Sequence, residues 1–278
     1  MNGELHSLVC LKVVPKSEEV TVDRETNTLD RGHARSEINP PDMNALEMAL
    51  ALKDRHGGRV SLLSMGPPFV VPMLRAALAM GADSAYLLSD RAFGGADTLA
   101  TSLTLAAAIR KIGDVDLVFC GEESSDGATA QVPPGIAAWL DLPQATYAHS
   151  VDFDPARQHI RVVREVHDGE ETLDVPLPAV LSVKVSANEP RFMDTVRLVC
   201  LREHDPVTTW TAADLDVDPG QLGGAGSPTS VTGLTEAAGA GNARRRELLK
   251  GTPQEEAHLL YERITEFLRG VGPQARGG

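Results

Sequence analysis

Only three cysteines occur in the 278-residue chain, Cys10, Cys120 and Cys200, and none stands in a Cys-x-x-Cys spacing. An odd, scattered set argues against a disulfide framework and a zinc site, so reduced, mostly buried thiols are expected. No two histidines stand at the i, i+4 spacing that aims two imidazoles at one metal, and no metal is expected. No apolar run approaches the roughly 20 residues that cross a bilayer, and no basic-then-apolar leader opens the chain; a cytoplasmic location is expected. Positive charge is in deficit. With 26 Lys and Arg against 39 Asp and Glu the net charge is -13, whereas phosphate-backbone binding draws on clustered cations, so DNA and RNA are excluded as partners. Neither a Walker loop nor a Gly-x-Gly-x-x-Gly run is present, which removes the main support for kinase, ATPase and dinucleotide-dehydrogenase readings.

What is present is an alternation of strand and helix patterns, the signature of a doubly wound, mostly parallel α/β sheet of Rossmann-like, nucleotide-binding type. Leu8 to Val14 reads as a central strand, Asp42 to Lys53 as a helix entered through Pro40-Pro41, and Val60 to Leu63 as a second strand. A helix over Met73 to Met80 closes on Gly81, and a third strand covers Ala85 to Leu88. Asp97 can cap a helix over Thr98 to Ile112. Asp116 to Cys120 is the next strand, and a further helix starts near Pro133-Pro134. Ile160 to Val166 and Thr172 to Val175 flank a hairpin turn at His167-Asp168-Gly169-Glu170, and Val180 to Val185 continues the sheet. The chain divides into a nucleotide-binding domain over 1–219 and, over 220–278, a flexible Gly-rich arm ending in a docking helix, whose apolar face comprises Leu259, Leu260, Ile264 and Phe267.

Three loops at the carboxyl edge of such a sheet are ligand candidates. Asp126 to Gln131 offers small residues and several amides at a helix start, which suits a phosphate, although local chemistry alone favours an ordinary capped strand-to-helix turn. Gly94-Gly95-Ala96-Asp97-Thr98 permits close backbone approach, with Asp97 either capping the helix, the favoured role, or meeting a ligand hydroxyl. Asn39, ahead of Pro40, Pro41 and Asp42, can meet an adenine or ribose edge or simply mark the helix start.

The residues then match a family. Asn39-Pro40, Ser64 to Pro68 (SMGPP), Ala77 to Asp83 (ALAMGAD), Ser89 to Ser102 (SDRAFGGADTLATS), Asp126 to Gln131 (DGATAQ), Asn188 to Phe192 (NEPRF) and Ala225 to Thr229 (AGSPT) resemble, in order, the electron-transfer flavoprotein beta subunit. The resemblance implies an electron carrier rather than a stand-alone enzyme. It implies a heterodimer whose alpha subunit holds FAD, with either structural AMP or a second FAD in the beta subunit, and a dehydrogenase or quinone oxidoreductase as redox partner. The run SDRAFGGADTLATS is similar to that of the electron-bifurcating group, in which the beta flavin takes a hydride from NADH; a single-flavin carrier with AMP is the alternative.

By the same resemblance the nucleotide pocket comprises Cys10, Asn39, Pro40, Pro41, Asp42 and Met65, then Asp90, Arg91, Phe93, Gly94, Gly95, Ala96, Asp97 and Thr98. After the next strand it takes Gly121, Ser125, Asp126, Gly127, Ala128, Thr129, Ala130, Gln131 and Val132. Glu165, Asn188, Pro190, Arg191 and Phe192 are assigned to partner contacts; for Glu165, a solvated hairpin glutamate is the alternative reading. The chain departs from the family pattern at Glu122-Glu123, where an acidic pair would repel a diphosphate by on the order of 4 kcal/mol at about 4 Å. Ala128 replaces a usual Asp and Pro133 a usual Gly. Val199 to Asp205 replaces a Lys-rich loop, which suggests a different redox partner or weaker electrostatic steering of the encounter. Two rival classes resemble parts of the chain. The Gly94–Thr98 run is similar to an ATP-pyrophosphatase phosphate loop, although it follows the third strand rather than the first and has Phe93 where a serine belongs. A universal-stress-type nucleotide module leaves the hairpin and the arm without a role.

Overall fold

The computed structural model describes residues 4–16, 21–23, 28–30, 36–203, 206–230 and 249–270. Two compact units, Met1–Leu234 and Thr235–Gly278, divide the chain. The first opens with β1 (His6–Cys10), β2 (Val13–Pro15), β3 (Thr21–Asp23), β4 (Thr28–Asp30), β5 (Ser36–Ile38) and α1 (Pro40–His56). It continues with β6 (Arg59–Met65), α2 (Val71–Ala79), β7 (Ser84–Leu88), α3 (Thr98–Ile112), β8 (Leu117–Gly121) and α4 (Val132–Leu140). Then come β9 (Gln144–Asp154), β10 (His159–Val166), β11 (Gly169–Pro176), β12 (Ala179–Val183), α5 (Thr195–Glu203) and β13 (Val207–Trp210). The second unit holds α6 (Pro253–Gly270).

One nine-stranded sheet has the order β11-β10-β9-β12-β8-β1-β6-β7-β13. From β9 to β13 every neighbouring pair is parallel, and the β10–β11 hairpin adds an antiparallel edge. Every residue of β1, β8 and β12 is buried, as expected of strands covered on both faces. On one face Val9, Leu62 and Phe119 pack with Leu46 and Leu50 of α1 and Leu74 and Leu78 of α2. On the other, Leu8, Leu63 and Val118 pack with Leu105 and Ile109 of α3 and Ile136 of α4.

Local chemistry sets the helix ends. Pro40 and Pro41 occupy the first turn of α1, where missing N–H groups cost no helical bond. Asp97 caps α3 by accepting from the N–H groups of Leu99 and Ala100, and α3 stops at Gly113 with φ 69°. The β10–β11 hairpin turns through His167-Asp168, with Val166 opposite Gly169.

The run Leu8 to Val14 is not one strand. β1 ends at Cys10, the Leu11 N–H donates to the Leu63 carbonyl at 2.8 Å, and the Lys12 N–H turns to the Asp42 carboxylate at 2.7 Å; β2 then pairs with β5 in a separate ribbon. Likewise β12 ends at Val183, short of Val185. The segment expected as a loop over 199–205 is helical through Glu203, because Asp194 Oδ1 accepts from the N–H groups of Val196 and Arg197 and starts α5. His204 and Asp205 lie outside the described residues. The Gly-rich segment begins with a stretch fixed to the first unit: Gly224 N–H donates to the Gly94 carbonyl at 2.9 Å, and Thr229 Oγ1 donates to Asp97 Oδ2 at 2.7 Å. Positions 231–248 lie outside the described residues.

Candidate nucleotide site at the strand-order switch

After β1 the chain builds β6 and β7 on one side and later β8 and β12 on the other, so the carboxyl ends of β1 and β8 flank the switch in strand order. Connections there leave in opposite directions and open a crevice. A cavity of about 560 Å³ occupies it, within the roughly 300–1,000 Å³ usual for small-molecule sites.

Asp42, in the first turn of α1, ties the two sides together. Its Oδ2 accepts from Lys12 N at 2.7 Å and its Oδ1 from Gly121 N at 3.0 Å. The approach is close enough that a Cβ on Gly121 would lie 2.4 Å from Asp42 Oδ1 and 2.7 Å from Pro41. Burial raises the Asp42 carboxyl to about 7, against the pull of the Lys12 and Gly121 N–H groups. Asn39 is buried beside it. Its Nδ2 donates to the Glu123 carbonyl at 2.8 Å and its Oδ1 accepts from Ser125 N at 3.0 Å, so the amide clamps the loop after β8.

That loop forms one wall of the cavity. Ala128 and Ala130 are left-handed, with φ of 46° and 53°, and the Gly127 and Ala128 N–H groups both turn back to the Ser124 carbonyl, at 3.2 and 2.7 Å. The N-termini of α3 and α4 meet at the cavity, bridged by Thr98 Oγ1 donating to Gln131 Oε1 at 2.8 Å. Gly95, at φ 72°, turns the loop before α3 as only a residue without a side chain readily does. Lys12 supplies a cation: its Nζ pairs with Asp126 at 2.5 Å and reaches Ser124 Oγ at 3.3 Å.

The acidic pair after β8 is split. Glu122 turns to the segment just past β12, where Oε1 accepts from Val185 N at 3.0 Å and Oε2 lies 3.7 Å from Lys184 Nζ. Only Glu123 lines the cavity. The repulsion expected of two carboxylates is thus reduced to one, partly exposed, because the β8–β12 pairing offers Glu122 an N–H and an ammonium.

Of the residues assigned to the pocket, Cys10, Asn39, Asp42, Met65, Phe93, Gly95, Ala96, Asp97 and Thr98 line the cavity, as do Gly121, Gly127, Thr129, Ala130, Gln131 and Val132. The others stand behind this lining. Pro40 and Pro41 start α1, Asp90 caps the turn Arg91–Phe93, Gly94 holds the Gly224 N–H, and Ser125, Asp126 and Ala128 shape the loop after β8. The sequence reading omitted Lys12, Thr101 and Cys120, which also line it. Cys120 had a legible signal, since it ends the strand run Asp116 to Cys120, whereas Lys12 falls inside the run Leu8 to Val14 and only the structure ends β1 at Cys10.

The electron transfer flavoprotein domain model matches residues 26–215. An electron transfer flavoprotein subunit beta of Clostridium acetobutylicum is 48% identical over 227 residues, covering 82% of this chain and 86% of the relative. The CarD subunit of a caffeyl-CoA reductase-Etf complex of Acetobacterium woodii is 45% identical over 225 residues, 81% of this chain and 85% of its own. The protein FixA of Azotobacter vinelandii is 41% identical over 268 residues, covering 95% and 94%. The chain belongs to the electron transfer flavoprotein beta subunit family. Association with a flavin and with an alpha subunit follows from that family.

In this beta subunit the residues assigned to partner contacts fall into two places. Glu165, exposed on β10, pairs with Lys184 at 2.9 Å and His149 at 3.4 Å, and the Lys184 ammonium holds its carboxyl below the usual range. Asn188 exchanges hydrogen bonds with Asn44 of α1, and Arg191, beside Pro190, is clamped by Glu47 and Asp54, each at 2.8 Å. These bonds fix the backbone beside Phe192, whose side chain is 98% exposed. Among the described residues no cluster of three or more His, Cys, Asp or Glu could hold a metal, and no helix is long and apolar enough to cross a membrane.

Proposed function

We propose that this beta subunit holds an adenine nucleotide in the switch-point cavity and works in an alpha–beta heterodimer that passes electrons from a dehydrogenase or NADH to a quinone oxidoreductase or another acceptor. The observation carrying this reading is the convergence of two helix N-termini, the left-handed Ala128 and Ala130 turn and the Lys12 ammonium on one crevice. Asp42 and Asn39 hold that crevice open and shaped rather than reacting. A bound nucleotide would set its phosphates against the amides of residues 129–131, which line the cavity, with Gly95 leaving room for the bulkier part of the ligand. A flavin bound there would supply hydride acceptance and one-electron transfer. The chain itself supplies orientation and a fixed electrostatic field.

FAD is favoured over AMP by the Gly94-Gly95 turn within a run similar to that of bifurcating relatives, and by the removal of Glu122 from the cavity. On that basis the complex is read as electron-bifurcating. Purification of the heterodimer, followed by extraction and chromatography of its nucleotides, tests the assignment. Two FAD and no AMP per heterodimer are expected; one FAD with one AMP would make it a single-flavin carrier.

A further inference from the structure

The sequence separates Cys10 and Cys120 by more than a hundred positions, but the fold makes them neighbours. Val9 of β1 stands opposite Phe119 of β8 in parallel register, so the next residue of each strand, the two cysteines, face one another. Parallel strands lie about 4.8 Å apart, a separation that two side chains can close. Both thiols belong to the apolar cluster on the α3–α4 face, both are free, and both line the switch-point cavity. Cys200 is exposed on α5, apart from them.

We propose that Cys10 and Cys120 form a dithiol site, reached through the cavity, for soft thiophiles of the trivalent-arsenical class that bond two sulfurs at once. With an aryl arsenoxide the step is a condensation. Two As–S bonds form, the arsenic–oxygen bond breaks, and the oxygen leaves as water with the two thiol protons. No electrons move, so neither an oxidant nor a reductant is needed. At Cys120 the hydrogen bond to Cys10, then burial, push the thiol well above its ordinary range, which leaves that sulfur little thiolate for one-site attack at neutral pH. A reagent making two bonds gains from the second being intramolecular. Seated there, the arsenic lies on the cavity floor beside Gly121 and Asp42, in space a cavity ligand would use.

The test adds phenylarsine oxide to the full chain and follows intact mass and free thiols. One adduct per chain is expected, consuming two of the three thiols and leaving Cys200 open to alkylation. Cys200→Ser should bind as the parent does, while Cys10→Ala and Cys120→Ala should each weaken retention about 100-fold, the scale of a lost second attachment. If either alanine variant fails to fold, peptide mapping of the parent adduct decides the matter, with arsenic joining the β1 and β8 peptides. An adduct on Cys200, retention unchanged in the alanine variants, or modification of the urea-unfolded chain alone would overturn the site. AMP, its binding verified by calorimetry, should slow uptake; unchanged uptake with AMP bound would overturn the cavity route. Failure of AMP to bind would count against the nucleotide reading only, since the thiol count is scored without nucleotide.

Discussion

Asp42 accepts N–H groups from both sides of the strand-order switch, and its protonation is therefore felt by the fold. With the folded value near 7 and the unfolded value near 3.8, the native state holds a proton between those limits that the unfolded chain has lost. Stability from this group is fully present below about pH 4 and declines as pH rises through 7. Urea denaturation from pH 5 to 8 should show that decline, and Asp42→Asn should remove its share of the slope while losing one hydrogen bond, at about 1–3 kcal/mol. Gly121→Ala should cost a further amount on the order of 1–3 kcal/mol, since its methyl group would enter the backbone of Pro41. The same denaturation assay, run on the isolated variant, checks it; a midpoint equal to the parent's would show that α1 can move aside. At the other end of the sheet, Glu165→Gln removes a negative charge from beside Lys184. If Glu165 is a partner contact close to the alpha subunit's flavin, that flavin's potential should rise by on the order of tens of mV, measured by redox titration of the heterodimer. No change would make Glu165 a surface carboxylate.

Among the elements, the stretch around Ala225 to Thr229 has a definable task. Ser227 Oγ accepts from Asp97 N at 2.8 Å and donates to the Gly223 carbonyl at 2.7 Å, while Thr229 reaches Asp97 Oδ2. Asp97 therefore caps α3 with one oxygen and holds this strap with the other. A Cβ on Gly223 would lie 2.1 Å from the Ala92 carbonyl, so the strap fits only against this loop. Ser227→Ala with Thr229→Val should loosen the Gly95–Thr98 wall and weaken nucleotide binding about 10-fold, a loss of about 1.4 kcal/mol, with the thermal midpoint nearly unchanged. Calorimetry on the double variant and on the conservative Ser227→Thr, Thr229→Ser pair separates lost hydroxyls from lost packing. The capping of α3 was legible, because Asp before a helical apolar pattern has few other roles. The strap was not: Ala225 to Thr229 carries no periodicity, and its partners lie about 130 residues earlier.

For the whole molecule, the two compact units suggest a division of labour. The apolar face of α6 leaves Leu260 51%, Ile264 49% and Phe267 71% exposed, a stripe that calls for a partner surface. We expect truncation after Ser230, which keeps the strap, to leave the first unit folded but to reduce co-purification with the alpha subunit several-fold. Truncation after Gly220 should impair nucleotide retention as well. Undiminished pairing of the shorter chain would assign α6 another role.

From sequence alone come the elements whose information is local. Continuous apolar runs mark β1, β8 and β12; the prolines opening α1 and the aspartate before α3 mark helix starts; Gly169 marks the hairpin; and ordered motifs mark the family. The tertiary structure alone decided which distant residues meet. Parallel register brought Cys10 to Cys120, and the switch in strand order brought Lys12 to Asp126 and Asp42 to Gly121. The β8–β12 pairing turned Glu122 out of the cavity. The physical reason is that periodicity reports which face of an element is buried, whereas pairing and register depend on the whole sheet's packing and leave no mark within any one segment.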